Sequence, residues 1–168
     1  ATNVLLRRLL ATYSGVTGML RPLGPLLVKI RERQGKEDPR RRRERFGEAS
    51  AARPEGRLVW AHAASVGEAN AILPVLETLM ARRPEINVLL TTLTVTSAGV
   101  VAKRLGARGL HQYVPLDVPA YARKFLDHWR PDAALFTESE IWPNLILETH
   151  ARGVPLVLAN ARMSSRSF

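Results

Sequence analysis

From Arg57 onward, short apolar runs alternate with longer stretches in which apolar and polar residues mix. The runs have the length of β-strands and cover Arg57–Ala63, Ile86–Leu93, Leu110–Leu116, Asp132–Glu138 and Val154–Asn160. The stretches between them have helical length and cover Val66–Arg82, Ser97–Leu105, Pro119–Trp129 and Trp142–Arg152. Strands that are apolar nearly throughout are expected where helices cover both faces of a sheet. The alternation therefore predicts an α/β fold with a doubly wound, Rossmann-like parallel sheet.

The N-terminal part of the chain predicts two apolar helical pieces with basic flanks, Asn3–Leu20 and Leu23–Arg33. A membrane span needs about 20 consecutive apolar residues, and Arg21 with the prolines at 22 and 25 interrupts this run. We expect the helices to lie on a membrane or on a partner surface. The alternative is that they pack on their own domain. The polar residues 34–57 are predicted to form a loop or linker.

Charge is concentrated in the same N-terminal quarter. Residues 1–46 hold twelve Lys or Arg and four Asp or Glu, so they carry +8 of the total net charge of +10. Such a segment attracts phosphates, either on nucleic acid or at an anionic membrane. No aromatic residue is interleaved within Arg40–Arg45, which argues against stacking on single-stranded nucleic acid. The run Arg40, Arg41, Arg42 and Arg43, together with Arg45, is a solvated charge run or a docking surface for lipid phosphate.

Candidate chemistry lies in the loops that follow the predicted strands, where open α/β sheets bind their ligands. Ser65 and Glu68 have the spacing of a capping box, in which the carboxylate reaches back to the backbone N–H of Ser65. Gly67 is costly in a first helical turn and suits the close approach of a ligand. Glu68 is therefore a helix cap, a catalytic carboxylate or both. For a catalytic role we expect it to point into open solvent, and the role is excluded if the carboxyl is turned inward and sealed off from every cleft.

Two further loops carry polar groups. Glu138 and Glu140 end the fourth strand, either as a pair of site carboxylates or as acids at a helix N-terminus. Hydroxyls gather at the end of the second strand and suit phosphate or sugar, although Thr is also common in strands; they belong to Thr91, Thr92, Thr94, Thr96 and Ser97. His62 lies inside a strand and is interpreted as a core histidine. The sequence contains neither a dinucleotide-binding nor a P-loop glycine motif.

Four motifs together resemble one family. They are "RERFG" (Arg43–Gly47), "HAASVGE" (His62–Glu68), "ESEIWPNL" (Glu138–Leu145) and "NARMSSRSF" (Asn160–Phe168). In this order and spacing they resemble the N-terminal half of the Kdo transferases of lipopolysaccharide synthesis, where Kdo is 3-deoxy-D-manno-octulosonic acid. The resemblance covers essentially all 168 residues. It implies a GT-B glycosyltransferase, in which two Rossmann-like domains face a cleft.

The resemblance also implies substrates and roles. The acceptor is a lipid A precursor at the cytoplasmic face of the bacterial inner membrane, which the protein meets peripherally or through an N-terminal anchor. The donor CMP-Kdo is bound largely by a C-terminal domain, and neither cofactor nor metal is expected. Glu68 is the general base of an inverting transfer. Further substrate-binding residues are expected at Ser65, Gly67, Thr94, Glu138 and Arg162.

The resemblance divides the chain into a membrane-proximal segment, residues 1–46, and a Rossmann-like acceptor-binding domain, residues 47–168. The donor-binding domain lies outside the chain, which by itself is expected to transfer nothing. Two alternatives stay open at this point. One is a non-catalytic module that binds anionic membranes, and the other is a GT-B glycosyltransferase of different specificity. No nucleic-acid partner is expected.

Overall fold

A computed structural model describes residues 2–106, 109–137 and 142–159. Two helices come first, α1 (Thr2–Met19) and α2 (Gly24–Arg33), joined by a 3-10 turn at Arg21–Leu23. Strands and helices then alternate. They are β1 (Arg57–Ala63), α3 (Val66–Arg82), β2 (Ile86–Thr92), α4 (Val95–Arg104), β3 (Gly109–Tyr113), α5 (Pro119–Trp129), β4 (Ala133–Thr137), α6 (Pro143–Ala151) and β5 (Leu156–Ala159). The predicted α/β architecture is confirmed.

The five strands form one parallel sheet in the order β3-β2-β1-β4-β5. The chain builds outward from β1 to β2 and β3, then returns to place β4 on the other side of β1. The order of strands therefore reverses between β1 and β4. In open α/β sheets the crevice at the carboxyl ends of two such strands is where ligands bind.

Each face of the sheet is covered by helices. On one face, Trp60 and Phe136 pack against α5 and α6 through Phe125, Trp129 and Leu145, all nearly inaccessible to solvent. The opposite face carries α3 and α4, whose apolar side chains cover the buried residues Ala61, Val88 and Leu90. Burial on both sides explains why the strand sequences are almost continuously apolar.

Predicted and observed boundaries agree closely. β1, α3 and α5 begin and end at the predicted residues. β3 ends at Tyr113 rather than Leu116. The backbone N–H of Val114 still donates to the carbonyl of Thr92 in β2, but that of Leu116 donates to the carbonyl of Arg45 instead. α4 begins at Val95, two residues before the predicted start, because Thr94 caps it.

The N-terminal helices touch the domain on one side and leave most of their surface uncovered. The Tyr13 hydroxyl donates to Asp117 Oδ2 at 2.9 Å, and the Ser14 hydroxyl donates to Asn144 Oδ1 at 2.5 Å. The large apolar side chains of the two N-terminal helices are otherwise mostly exposed, and the exposed fraction reaches 83% at Met19. None of the described helices combines the length and apolarity that crossing a bilayer requires.

The segment predicted as a linker is packed into the domain. It contains a 3-10 helix, Arg42–Phe46, and its Arg45 is only 1% exposed. Arg45 donates to Glu37 at 2.7 Å and to the carbonyls of Val114 and Leu93 at 2.9 and 2.5 Å. The interpretation of the arginine run as wholly solvated is therefore wrong for Arg45, because a buried guanidinium is stable only when its donors are paired.

Candidate functional site

The strand register brings the candidate loops to a common level. Ala63 at the end of β1 lies opposite Thr92 at the end of β2, and His62 lies opposite Phe136 in β4. The loops that leave β1, β2 and β4 therefore start in one row across the carboxyl edge of the sheet. The row includes the point between β1 and β4 where the strand order reverses. Open α/β sheets bind their ligands at such a point.

Ser65 begins α3 as its N-cap. Its backbone is extended (φ −118°, ψ 168°), and its Oγ accepts the backbone N–H of Glu68 at 3.2 Å. The Ser65 hydroxyl in turn donates to Glu68 Oε1 at 3.1 Å. The carboxylate thus sits at the N-terminus of α3, where negative charge is stabilised by the helix dipole.

The other carboxylate oxygen is held more firmly. Glu68 Oε2 accepts the backbone N–H of Ala64 at 2.9 Å and lies 2.9 Å from the hydroxyl of Thr137 at the end of β4. The predicted capping box is thus modified, because the carboxylate reaches the N–H of Ala64 instead of that of Ser65. These contacts join the first turn of α3 to β4 across the switch point.

The expectation that Glu68 points into open solvent is wrong. The residue is only 9% exposed, because its carboxylate turns toward Ala64 and Thr137. Its neighbours Ser65 and Gly67 are nevertheless exposed. The carboxylate is therefore buried next to exposed residues of the loop that leaves β1.

The two carboxylate oxygens of Glu68 differ in how many hydrogen bonds they already accept. A carboxylate offers about four acceptor positions, two on each oxygen. Oε2 uses both, on Ala64 and Thr137, whereas Oε1 uses one on Ser65 among the described residues. Oε1 can therefore accept one further hydrogen bond, and a sugar hydroxyl is a donor of the right kind. A carboxylate fixed in this way can orient such a hydroxyl and take its proton.

Gly67 and Thr94 lie at the same edge as Glu68. A Cβ at Gly67 would meet only Ser65 Oγ, at 3.9 Å, so the backbone there borders open space. Thr94 caps α4, with its Oγ1 accepting the backbone N–H of Ser97 at 3.1 Å. Their predicted role in substrate binding stays a prediction. The predicted site residues Glu138 and Arg162 lie outside the described residues.

His62 is the core histidine that the sequence predicted. It is fully buried, and its Nδ1 lies 3.0 Å from the hydroxyl of Thr91. Burial lowers the pKa of His62 to about 4, so the ring is neutral near pH 7. Its Nε2 has no hydrogen-bond partner among the described residues, and its ring meets Trp142 edge to face, with centroids 6.2 Å apart.

The predicted docking arginines differ in their surroundings. Arg40, Arg42 and Arg43 are exposed. Arg41 instead pairs with Glu44 through two contacts of 2.8 and 2.9 Å, and it donates to the carbonyl of His111 at 2.8 Å. Phosphate docking by the four stays a prediction, and Arg41 must leave these partners to take part in it.

Sequence reasoning missed two residues at this edge. Thr137 ends β4 and contacts Glu68, which lies 69 positions earlier in the chain. Asp117, in the loop after β3, accepts the backbone N–H groups of Asn144 and Leu145 and so caps α6. The signal for Thr137 is its position as the last residue of the strand beside the switch point. The signal for Asp117 is the single acid in "PLDVP".

Comparison with known proteins identifies the family of the chain. A family model described as 3-deoxy-D-manno-octulosonic-acid transferase (kdotransferase) matches residues 40–168. A probable mitochondrial 3-deoxy-D-manno-octulosonic acid transferase of Arabidopsis thaliana is 42% identical over 156 residues, which are 93% of this chain and 35% of that protein. The transferase of Rickettsia bellii is 38% identical over 156 residues, 93% of this chain and 37% of the relative.

The transferase of Haemophilus influenzae is 38% identical over 122 residues, 73% of this chain and 28% of the relative. The chain thus spans about a third of the length of these curated relatives. The match of the family model covers most of the chain, including the loop that carries Glu68 and the strand that ends at Thr137. The chain therefore belongs to the 3-deoxy-D-manno-octulosonic acid transferase family.

Proposed function

We propose that this chain is the acceptor-binding part of a glycosyltransferase that moves Kdo from CMP-Kdo to a lipid A precursor, with Glu68 as general base. The observation that carries the proposal is the fixed carboxylate at the switch point, with one acceptor position of Oε1 left open by the residues that the structure describes. Family membership supports the reaction class. CMP-Kdo is expected to bind mainly to a C-terminal, GT-B-type domain outside this chain.

The proposed reaction is a single displacement. The acceptor hydroxyl gives its proton to Glu68 Oε1 while its oxygen bonds to the anomeric carbon of Kdo. The bond from that carbon to the phosphate oxygen of CMP breaks, and CMP leaves with the electron pair. Attack from the side opposite CMP inverts the configuration. Proton transfer that accompanies departure of CMP lets a carboxylate serve as base for a weakly acidic hydroxyl.

Surface features near the site support an acceptor that carries lipid. A cavity of about 440 Å³ lies between the N-terminal helices and the domain, lined by apolar side chains that include Leu23, Leu27 and Trp142. Trp142 also packs against His62 of β1, so this cavity adjoins the edge that carries Glu68. We infer that the apolar faces of α1 and α2, with the basic residues at 40, 42 and 43, rest on an anionic membrane, the bacterial inner membrane in this proposal.

The substitution Glu68→Gln separates the proposed base from the helix cap. Gln at this position of a capping box still accepts a backbone N–H, so α3 keeps its cap, but the amide cannot take a proton. In an enzyme where this chain is followed by the C-terminal part of its relatives, we expect Kdo transfer to fall about 10²-fold to 10⁴-fold. Transfer is measured as labelled Kdo incorporated into lipid A precursor.

Glu77→Gln is the matched control. Glu77 lies on the same helix, is partly exposed and pairs with Arg104, so its substitution should leave transfer unchanged. If Glu68→Gln transfers Kdo at the wild-type rate, Glu68 is only a cap and the proposed base is wrong. If the wild-type enzyme transfers a different sugar instead of Kdo, the chain belongs to a GT-B enzyme of other specificity. A wild-type enzyme that transfers no sugar but binds anionic vesicles supports a non-catalytic membrane module.

A further inference from the structure

Thr137 is a buried hydroxyl between two acceptors. It is the last residue of β4 and is 3% exposed. Its Oγ1 lies 2.9 Å from the backbone carbonyl of His62 and 2.9 Å from Glu68 Oε2. A threonine hydroxyl has one proton, so it can donate to only one of these oxygens at a time. Because the two distances are equal, rotation about the Cβ–Oγ1 bond of Thr137 can point its proton to either oxygen.

The two arrangements match the two states of a general base. While Glu68 is ionised, the Thr137 proton is best placed on Oε2, because hydrogen bonds to a charged acceptor are the stronger ones. Once Glu68 has received a proton and is neutral, the same hydroxyl can donate to the carbonyl of His62 instead. Neither state leaves the buried hydroxyl without an acceptor, which would be costly.

Thr137 also determines which carboxylate oxygen meets the substrate. Together with the N–H of Ala64 it fills both acceptor positions of Oε2. The oxygen left open toward the Ser65–Gly67 side is then Oε1. If Thr137 could not donate, Oε2 would keep one partner and the carboxylate could turn about its last bond. A displacement of about 1 Å at a catalytic group can cost about 100-fold in rate.

We propose that Thr137 is a positioning residue for the transfer reaction, which holds Oε2 of Glu68 so that Oε1 faces the acceptor hydroxyl. This inference rests on the proposed role of Glu68. Thr137 acts through Glu68 and does not touch the sugar. Its loss should therefore change the rate of the chemical step and leave the binding of the lipid acceptor unaltered.

The test is Thr137→Val, which replaces the hydroxyl by a methyl group of similar size. In the complete enzyme we expect kcat for Kdo transfer to fall about 10-fold to 100-fold, as for loss of a hydrogen bond to a charged group. The KM for the lipid A precursor should not change. Thr137→Ser restores the hydroxyl and should return kcat close to the wild-type value. A purely structural role for the threonine would not produce this rescue together with an unchanged KM.

Thr149→Val is the control for removal of a buried threonine hydroxyl. Thr149 is fully buried in α6, and its hydroxyl bonds only to the Leu145 carbonyl of its own helix among the described residues. This variant should keep the wild-type kcat. If Thr137→Val does not fold, Thr137→Ser and Thr137→Ala replace it in the test. The inference then requires that Thr137→Ser has nearly the wild-type kcat and that Thr137→Ala has a reduced kcat.

Comparison with Glu68→Gln keeps this inference separate from the proposed function. If Glu68→Gln is inactive while Thr137→Val has the wild-type kcat, Glu68 is the base and Thr137 does not position it. An equal loss of kcat in Thr137→Val and Thr137→Ser also overturns the positioning role. If Glu68→Gln is fully active, the proposed base itself is wrong, and the inference fails with it.

Discussion

At the scale of single residues, the hydrogen bonds of one carboxylate both cap a helix and fix its orientation. Glu68 caps α3 and, through the same hydrogen bonds, is fixed in orientation at the carboxyl edge of the sheet. The local spacing of Ser65 and Glu68 was enough to predict the cap. The contact with Thr137 could not be predicted, because it depends on how β4 pairs with β1. A tertiary contact of this kind leaves no local pattern in the sequence.

His62 makes a prediction about acid stability. Burial lowers its pKa from 6.5 to about 4 in the folded chain, so between these values the unfolded chain binds the extra proton. The contribution of neutral His62 to the free energy of unfolding is therefore fully present above about pH 6.5, and it is lost as the pH drops toward 4. The contribution lost is about 3 kcal/mol. His111 acts in the same direction, since burial and the nearby Arg41 lower its pKa to about 3.

The measurement is urea unfolding of wild type and His62→Asn at several values between pH 7.5 and pH 4. The variant is expected to be less stable throughout, because it loses a packed ring. Its free energy of unfolding should nevertheless fall less steeply with acid than that of the wild type. The exposed His150→Asn variant should show the wild-type slope. Parallel curves for wild type and His62→Asn would show that the folded chain protonates His62 without penalty.

At the scale of elements, the sequence best predicts those limits of helices and strands that depend on neighbouring residues in the chain. α5 begins at Pro119, which suits a first helical turn, and ends at Trp129, because Pro131 disfavours helix at the residue before it. β5 departs from the expectation that both faces are covered, since Val157 and Leu158 are half exposed. It lies at the sheet edge, paired only with β4 among the described strands, and an apolar run does not reveal edge position.

Asp117 links the loop after β3 to α6 and to α1, and so helps to hold α1 on the domain. It accepts the N–H groups of Asn144 and Leu145 at the start of α6, and it also accepts the hydroxyl of Tyr13 in α1. Burial, with the neighbouring Asp117, raises the pKa of Tyr13 to about 12, so this hydroxyl keeps its proton near pH 7. The loop after β3 therefore fastens the N-terminal helix to the edge that carries the proposed site.

Asp117→Asn should weaken that attachment. The amide offers one acceptor oxygen in place of two, so an N–H of α6 or the Tyr13 hydroxyl loses its partner. We expect a loss of about 1–2 kcal/mol in stability, together with faster trypsin cleavage at Arg7 and Arg8 of α1. Asp127→Asn is the control, because Asp127 is exposed and its partner Arg152 retains Glu148. Unchanged cleavage in Asp117→Asn would mean that α1 is held mainly through Asn144, which accepts the Ser14 hydroxyl and donates to the Thr17 hydroxyl.

At the scale of the whole molecule, charge and apolar surface meet on the N-terminal segment. The exposed apolar side chains of α1 and α2 are more extensive than scattered surface residues of a soluble domain. Arg40, Arg42 and Arg43 lie on the segment that follows α2 and are exposed as well. Apolar helices lying in the headgroup region, assisted by basic residues, bind anionic membranes. The same charge without apolar contacts would attract nucleic acid just as well.

These alternatives differ in what they predict for vesicles. Replacing Arg40, Arg42 and Arg43 by Gln should weaken co-sedimentation with anionic phospholipid vesicles about 100-fold, since each of the three basic residues contributes about 1 kcal/mol. Added salt should reduce wild-type binding toward that of the variant.

The matched control replaces Arg57, Arg82 and Arg130, which are exposed at the opposite edge of the sheet. It removes the same charge but should bind almost as the wild type does. Equal loss in both variants would mean that net charge alone drives binding, and a stronger affinity for labelled duplex DNA than for vesicles would contradict membrane docking.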